Sequence, residues 1–180
     1  MSIRYRMACL HTEAYGRSTM NAHFPTRRAY PIPVPSTTLS AGCLARVDWS
    51  DAYAIDLASD VPRRDPRAWA AAIFGAPPRW VRTLFAVREA LVPLVGIAPG
   101  GNHAFDVISR TDDEVLVGSD HGHLDFRASV LVEPGRVVVS TVVTLHDRRG
   151  RAYSTFVRAI HPWVVRASLE RAAHLANPNT

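Results

Sequence analysis

The sequence predicts an α+β fold in which an antiparallel β-sheet wraps around a long C-terminal helix, with two further helices inserted after the first strand. Three observations predict it. Between about residues 104 and 147, apolar and polar positions alternate in four segments separated by short turns. Residues 66–95 instead place apolar side chains at three- and four-residue steps. A second amphipathic helical pattern occupies the C-terminus.

Length and composition indicate one globular domain. The chain has 180 residues, of which 47% are hydrophobic and 21% are charged, and this balance suits a single core. Residues 1–29 show no sustained periodicity and are predicted to form a mobile N-terminal tail. Residues 30–176 are predicted to form one α+β domain.

The signals that precede the sheet follow one another in a clear order. Three prolines in "YPIPVPSTTLS" predict an extended segment, and the alternation in "YAIDLA" (53–58) predicts the first strand. Asp65 and Pro66 are typical of a helix start, and Gly75 ends this short helix. A longer helix follows through "APPRWVRTLFAVREALVPLVG", which Pro93 is expected to kink or end.

Four strand candidates come next, namely "AFDVISR", "EVLVG", "HLDFRASVLVE" and "RVVVSTVVTLHD". The gaps between them, "TDD", "SDHG" and "EPG", are short and rich in turn residues, which predicts an antiparallel meander. The chain then ends in the amphipathic pattern "HPWVVRASLERAAHLA". His161 is the expected cap of this last helix, with Pro162 in its first turn.

This order of elements matches the helix-grip, START-like architecture. A meander with one apolar face needs a cover, which the C-terminal helix and the early helix pair can provide. A sheet that grips a helix often leaves a cavity between the two, and this architecture usually holds small apolar molecules. Such a fold analogy does not identify a reaction.

Several segments resemble the bacterial domain-of-unknown-function family 2867. The most specific are the D-x-x-D-A-Y pattern at residues 48–53, "FGAPPRWVR" and "HLDFRAS", within a resemblance that runs from about Val34 to about Ala173. The resemblance implies a compact single domain, which some relatives carry behind a nucleotide-binding Rossmann domain that has no counterpart in this sequence. It also implies that His123 recurs among relatives, whereas His121 lies in a variable turn. It implies no particular reaction.

The segment His121-Gly122-His123-Leu124-Asp125 has the H-x-H-x-D spacing of a metal-hydrolase ligand cluster. Such a cluster also needs a histidine directly after the aspartate, where Phe126 stands. The ligands must all reach ~2 Å from the metal, whereas strand neighbours two positions apart lie roughly 6–7 Å from each other. We therefore expect no metal and no other cofactor.

If "HLDFRASVLVE" is a strand, His123, Asp125 and Arg127 lie on one face of it, and the apolar residues between them lie on the other face. This polar row either faces water, where an Asp125–Arg127 pair contributes less than ~1 kcal/mol, or lines a pocket. In a pocket, Arg127 would hold an oxyanion, Asp125 would orient Arg127 or His123, and His123 would transfer a proton.

Other residues complete the predicted site. His146 and Tyr153 either join His123 as proton-transfer groups or simply end a strand and pack a ring. Asp51 belongs either to an Asp-rich turn or to the edge of the pocket. The predicted catalytic residues are His123, Asp125, Arg127, His146 and Tyr153, and the predicted substrate-binding residues are Asp51, Trp80, Phe126 and Trp163.

Several function classes lack their signatures. The sequence has no P-loop, dinucleotide fingerprint or G-x-S-x-G motif. Its net charge of +5 comes from scattered arginines, so we expect no nucleic-acid partner. Two cysteines make no disulfide framework, and no apolar stretch reaches the roughly 18 residues of a membrane span. We expect a cytoplasmic protein without membrane contact, and leave a homodimer open.

These patterns together predict a pocket protein for a small molecule. It would be a cofactor-independent acid/base enzyme, of the cyclase, dehydratase (lyase) or isomerase type, acting on a largely apolar substrate with a carbonyl or carboxylate group. The alternative is a non-catalytic ligand-binding or protein-interaction module that works beside a separate enzyme.

Overall fold

A computed structural model describes residues 28–37, 39–91 and 105–176 of the chain. Most of the predicted tail, residues 1–27, lies outside the described residues, as does Pro93. Ala29, the last residue of that predicted tail, is buried, and its backbone N–H donates to Glu170 Oε1 at 2.9 Å.

The fold is α+β, with one six-stranded antiparallel sheet and a long C-terminal helix. The strands are β1 (Tyr30–Pro31), β2 (Trp49–Asp56), β3 (Asp106–Arg110), β4 (Glu114–Asp120), β5 (Leu124–Glu133) and β6 (Arg136–Leu145). The helices are α1 (Pro66–Ala70), which continues into a π-helical turn (Ala71–Gly75), α2 (Arg79–Leu91) and α3 (Arg148–Ala176). The strand order across the sheet is β1-β2-β6-β5-β4-β3.

The meander from β3 to β6 confirms the four predicted strands and their antiparallel order, whereas the turn predicted at 119–122 lies at residues 121–123 because β4 continues to Asp120. The turn between β5 and β6 has Pro134 followed by Gly135 with φ of 77°, a positive value that a type II turn requires and that glycine adopts without strain. β2 pairs with β6 over its whole length, from Trp49 opposite Val143 to Asp56 opposite Arg136. Because of this pairing, the strand predicted at 53–58 begins four residues earlier.

The sheet has an inner face toward α3 and an outer face on the opposite side. Antiparallel partners project to the same face, so the core is continuous across strands. On the inner face Ile55, Val130 and Val139 pack with Trp69 and with Leu169 of α3 in one buried cluster. Burial of apolar area contributes about 25 cal/mol per Å², so this cluster stabilises the contact between sheet and helices.

The N-terminal segment covers the outer face. Tyr30, Ile32 and Val34 pack against buried residues of β2 and β6. Thr37 donates from Oγ1 to Glu114 Oε1 at 2.7 Å and Ser129 of β5 donates to the same oxygen, so the N-terminal segment and β5 together satisfy this nearly fully buried carboxylate. At the end of this segment, Asp48 Oδ2 accepts a hydrogen bond from the backbone N–H of Leu145 at 2.7 Å.

The prediction that the last helix begins at His161 is wrong. Helix α3 begins at Arg148, where Asp147 acts as the cap, since its Oδ1 accepts the backbone N–H of Gly150 at 2.6 Å. Pro162 lies inside the helix, and it cannot donate the hydrogen bond that the Arg158 carbonyl would otherwise accept. His161 is therefore a mid-helix residue rather than a cap.

The prediction that the third strand of the meander begins at His123 is also wrong. Strand β5 begins at Leu124, and His123 belongs to the preceding turn, in which the His121 N–H donates to the Leu124 carbonyl at 3.0 Å. In the described part of the chain, no helix is long and apolar enough to cross a membrane.

Gly150 tests how tightly α3 approaches the turn before β5. A Cβ atom at this position would lie 2.1 Å from the carbonyl oxygen of His123, so an alanine side chain requires the helix to shift. We expect Gly150→Ala to lower the free energy of unfolding by about 1–3 kcal/mol in urea denaturation. The control is Gly122→Ala, because a Cβ there meets nothing within 4 Å and a change within about 0.5 kcal/mol is expected. Equal effects of the two substitutions would contradict this packing.

Candidate functional site

A cavity of about 410 Å³ lies between the inner face of the sheet and α3. This volume falls in the range of small-molecule sites, roughly 300–1,000 Å³. Most of its wall is apolar, including Phe126, Ala128, Val139 and Val143 from the sheet and Val157 from the helix. The cavity thus exists because α3 covers the inner face without filling the space above it.

One stripe of α3 forms the helical wall. Tyr153, Val157, His161, Val165 and Ser168 line the cavity at three- and four-residue steps. Tyr153 and His161 are eight residues apart, so their Cα atoms are separated by about 12 Å along the axis. Two polar side chains of one helix therefore line the same apolar cavity at different positions along the helix axis.

His161 is held by a carboxylate of the sheet. Its Nδ1 lies 2.8 Å from Asp51 Oδ2, and the two side chains are only 16% and 23% exposed. An ionised carboxylate is an acceptor only, so Nδ1 carries the hydrogen, and Nε2 of the neutral ring keeps its lone pair. The edge-on ring of Trp49, with centroids 5.3 Å apart, packs against the imidazole.

Trp49 is itself fixed by α3. Its indole N–H donates to Ser154 Oγ at 2.7 Å, and the guanidinium of Arg158 lies 5.7 Å from the ring centroid. Both Trp49 and Ser154 line the cavity. The histidine is thus oriented by one hydrogen bond and one ring contact.

The His161–Asp51 pair is the first polar group of the cavity. Tyr153 forms the second polar group with two residues of α2. Arg88 donates from Nε to Tyr153 Oη at 2.8 Å, and it forms an ion pair with Glu89. Burial acts to lower the pKa of Arg88, but the hydrogen bond with Tyr153 and the charge of Glu89 outweigh it and raise that pKa. Arg88 therefore remains a cation, and all three side chains line the cavity.

His123 packs against Tyr153 of this second polar group. Its ring contacts Tyr153 edge to face at 5.9 Å and stacks on His121 at 5.7 Å. The residue is 7% exposed, and its Nε2 is buried without a hydrogen-bond partner. Burial, together with the electrostatic influence of the neighbouring His121 and Arg88, lowers the pKa of His123 below its ordinary value of 6.5.

The structure separates Asp125 and Arg127 from the cavity. They alternate with Leu124, Phe126 and Ala128, which line it, so they project to the outer face. Arg127 pairs there with Asp120 at 2.6 Å, opposite Gly118, where a Cβ would lie 3.0 Å from Arg127 Cδ. The structure therefore does not bring His123, Asp125 and Arg127 together in one row along the cavity.

The remaining predicted residues lie in three different places. His146 pairs with Asp125 at 2.9 Å and does not line the cavity. Phe126 lines the cavity, and Asp51 contacts it through His161. Trp80 and Trp163 are 49% and 63% exposed and line a separate surface groove between α2 and α3.

The H-x-H-x-D spacing does not converge on one point. The rings of His121 and His123 stack, whereas Asp125 projects to the outer face and accepts the backbone N–H of His121 at 3.2 Å. Within residues 28–37, 39–91 and 105–176, no three His, Cys, Asp or Glu side chains are grouped in a way that could hold a metal ion.

Sequence reasoning missed several residues of the cavity, namely Trp49, Arg88, Glu89, Ser154 and His161. A usable signal existed for α3, because Tyr153, Val157 and His161 repeat at four-residue steps. No local pattern could have paired Arg88 with Tyr153 or Asp51 with His161, since these partners are 65 and 110 residues apart.

Comparison with known proteins identifies a family that this chain matches. The family model described as "Protein of unknown function (DUF2867)" matches residues 43–168. No curated protein and no solved structure matches the chain. The matched range contains every residue of the two polar groups in the cavity.

The buried His123 predicts a pH dependence of stability. Since its folded pKa lies below 6.5, the unfolded chain binds a proton first as the pH falls, and stability decreases below pH 6.5 until the folded residue also protonates. The loss is at most about 1.4 kcal/mol per pH unit. We expect urea unfolding between pH 7.5 and 5.5 to show a smaller loss in His123→Phe than in the wild type. His174→Phe, at an exposed position, is the control, and an unchanged slope in His123→Phe would refute the assignment.

Proposed function

Since the chain belongs to the family of proteins of unknown function DUF2867, we propose its function from the cavity itself: it binds a small, largely apolar molecule that carries a carbonyl or carboxylate group. The observation that carries this proposal is an apolar cavity of about 410 Å³ with two fixed polar groups in its wall. Apolar walls supply affinity through burial of ligand surface, and a few placed polar groups set its orientation.

We assign the helix-grip, START-like architecture to the domain on the same grounds. A six-stranded antiparallel sheet covers one side of the cavity, and the 29-residue helix α3 lies across it. The cavity lies where this architecture places its ligand, between sheet and helix. The bacterial origin and cytoplasmic location expected from the sequence accompany this assignment as proposals.

The proposed activity is cofactor-independent acid/base chemistry, of the isomerase, cyclase or dehydratase type. His161 supplies a base, because Asp51 holds its Nδ1–H and leaves the Nε2 lone pair. Tyr153 supplies a hydrogen-bond donor, because Arg88 already donates to its oxygen. His123 positions Tyr153, whereas Asp125, Arg127 and His146 have no part in this proposal because they lie outside the cavity.

A non-catalytic interaction module remains the second candidate. The observation that favours it is the surface groove of Trp80 and Trp163, two large aromatic side chains that α2 and α3 leave exposed. In that case a ligand in the cavity would set the stability of the domain rather than undergo a reaction.

Binding of the neutral naphthalene ketone Prodan tests the proposed function. We expect saturable fluorescence enhancement with the wild type and at least tenfold weaker binding to Ala128→Trp, because the buried Ala128 faces the cavity and a tryptophan fills it. Ala86→Trp, at an exposed position of α2, is the matched control and should bind normally. Circular dichroism confirms that both variants are folded. Equal binding by the wild type and a folded Ala128→Trp would show that the probe binds elsewhere.

A further inference from the structure

We propose that the cavity is built for an enolisable ketone, with the carbonyl oxygen at Tyr153 and the acidic C–H bond at His161, rather than for a carboxylic acid. This inference rests on the proposed function, because it requires that the cavity binds a small molecule. It adds the substrate class and assigns a separate role to each polar group.

The polarity of the His161 end follows from its partner. Asp51 accepts the Nδ1–H at 2.8 Å, so the only ring atom left for a ligand is Nε2, which is an acceptor in the neutral ring. A ligand must therefore present a hydrogen to this end of the cavity. The wall near His161 includes the apolar residues Trp49, Val157, Val164 and Val165, against which a carbon skeleton packs, together with Thr141, the cross-strand partner of Asp51.

The polarity of the Tyr153 end is the opposite. Its oxygen accepts a hydrogen bond from Arg88 Nε at 2.8 Å, so its own hydroxyl hydrogen is directed to another acceptor. The nearest charges compensate each other, since Arg88 is paired with Glu89 and both line the cavity. A neutral carbonyl oxygen fits this group, because Glu89 already compensates the charge of Arg88 and leaves no net positive charge for a carboxylate.

The spacing of the two groups sets the form of the ligand. Tyr153 and His161 lie on one stripe of α3, about 12 Å apart at their Cα atoms, with Val157 between them. Removal of an α-hydrogen requires the two groups to meet the carbonyl oxygen and the adjacent carbon of one ligand, so the proposal places a compact ring between the levels of Tyr153 and His161, in contact with the apolar wall. An aromatic or alicyclic ketone meets all three conditions.

The chemical step balances within the cavity. His161 Nε2 removes a proton from the carbon next to the carbonyl group, and the C–H electron pair forms a C=C bond. The π electrons of the carbonyl group move to its oxygen, which takes the hydrogen of Tyr153, and the cation of Arg88 stabilises the resulting phenolate. Return of both protons regenerates the ketone. In a β,γ-unsaturated ketone, which gives a dienol, return of the carbon-bound proton to the γ-carbon instead gives the α,β-unsaturated isomer.

Hydrogen exchange into 2-tetralone, a bicyclic enolisable ketone, tests the proposal. In D₂O at pD 7.5, NMR should show exchange of its α-hydrogens faster with the wild type than in buffer. His161→Gln should slow the protein-dependent rate by about 100-fold or more, and Tyr153→Phe by about 10-fold or more, as for general acid–base groups. His174→Gln, at an exposed position of the same helix, should exchange like the wild type.

Binding measurements separate this inference from the proposed function. Displacement of Prodan should show that 2-tetralone binds at least tenfold more tightly than naphthalene-2-carboxylate, and both His161→Gln and Tyr153→Phe should retain Prodan. A tighter carboxylate, or bound ketone without exchange above the buffer rate, would overturn the inference while the pocket function stands. Failure of Prodan, the ketone and the carboxylate alike to bind would overturn both.

Discussion

The central physical constraint is that the inner face of the sheet is apolar and must be covered. α3 and α1 with its π-helical turn cover it, and Trp69, Ile73 and Leu169 are almost completely buried in the core next to the cavity. Toward the N-terminal half of α3, the helix contributes Tyr153, Val157 and His161 to a cavity rather than to a closed core. The same sheet–helix contact therefore stabilises the domain at one end and forms the candidate site at the other.

The polar groups of the cavity depend on contacts between distant parts of the chain. Asp51 reaches His161 because the full-length pairing of β2 with β6 places β2 beneath α3. Arg88 reaches Tyr153 only when α2 lies beside the start of α3. Each group is thus assembled by tertiary structure and held by a hydrogen bond, which is the preorganisation that acid/base chemistry requires.

The sequence predicted the secondary structure of the meander and its turns well, since strand alternation and turn residues are local signals. It also identified Tyr153, Phe126 and Asp51 as candidates, and all three lie at or behind the cavity wall. The prediction for the polar row of β5 was limited because the alternation of side chains along a strand does not identify the buried face. A strand shows which residues share a face, but not which of its two faces meets the helix, and Asp125 and Arg127 lie on the other one.

The role of His161 could not be predicted for a related reason. A histidine followed by proline is typical of a helix start. This local signal predicted a start at His161, whereas the helix begins at Arg148 with Asp147 as its cap. The importance of His161 comes from its hydrogen bond with Asp51, 110 residues away in the sequence. The depressed pKa of His123 is similarly a consequence of burial against Tyr153 and of the nearby Arg88, and neither can be read from the turn sequence.

The most direct test of this account is a crystal structure of the protein grown with 2-tetralone. The account predicts that the ketone lies between the inner face of the sheet and α3, with its oxygen within hydrogen-bond distance of Tyr153 Oη and an α-carbon facing His161 Nε2. A ketone bound in the groove of Trp80 and Trp163, with the cavity between sheet and helix empty, would contradict it.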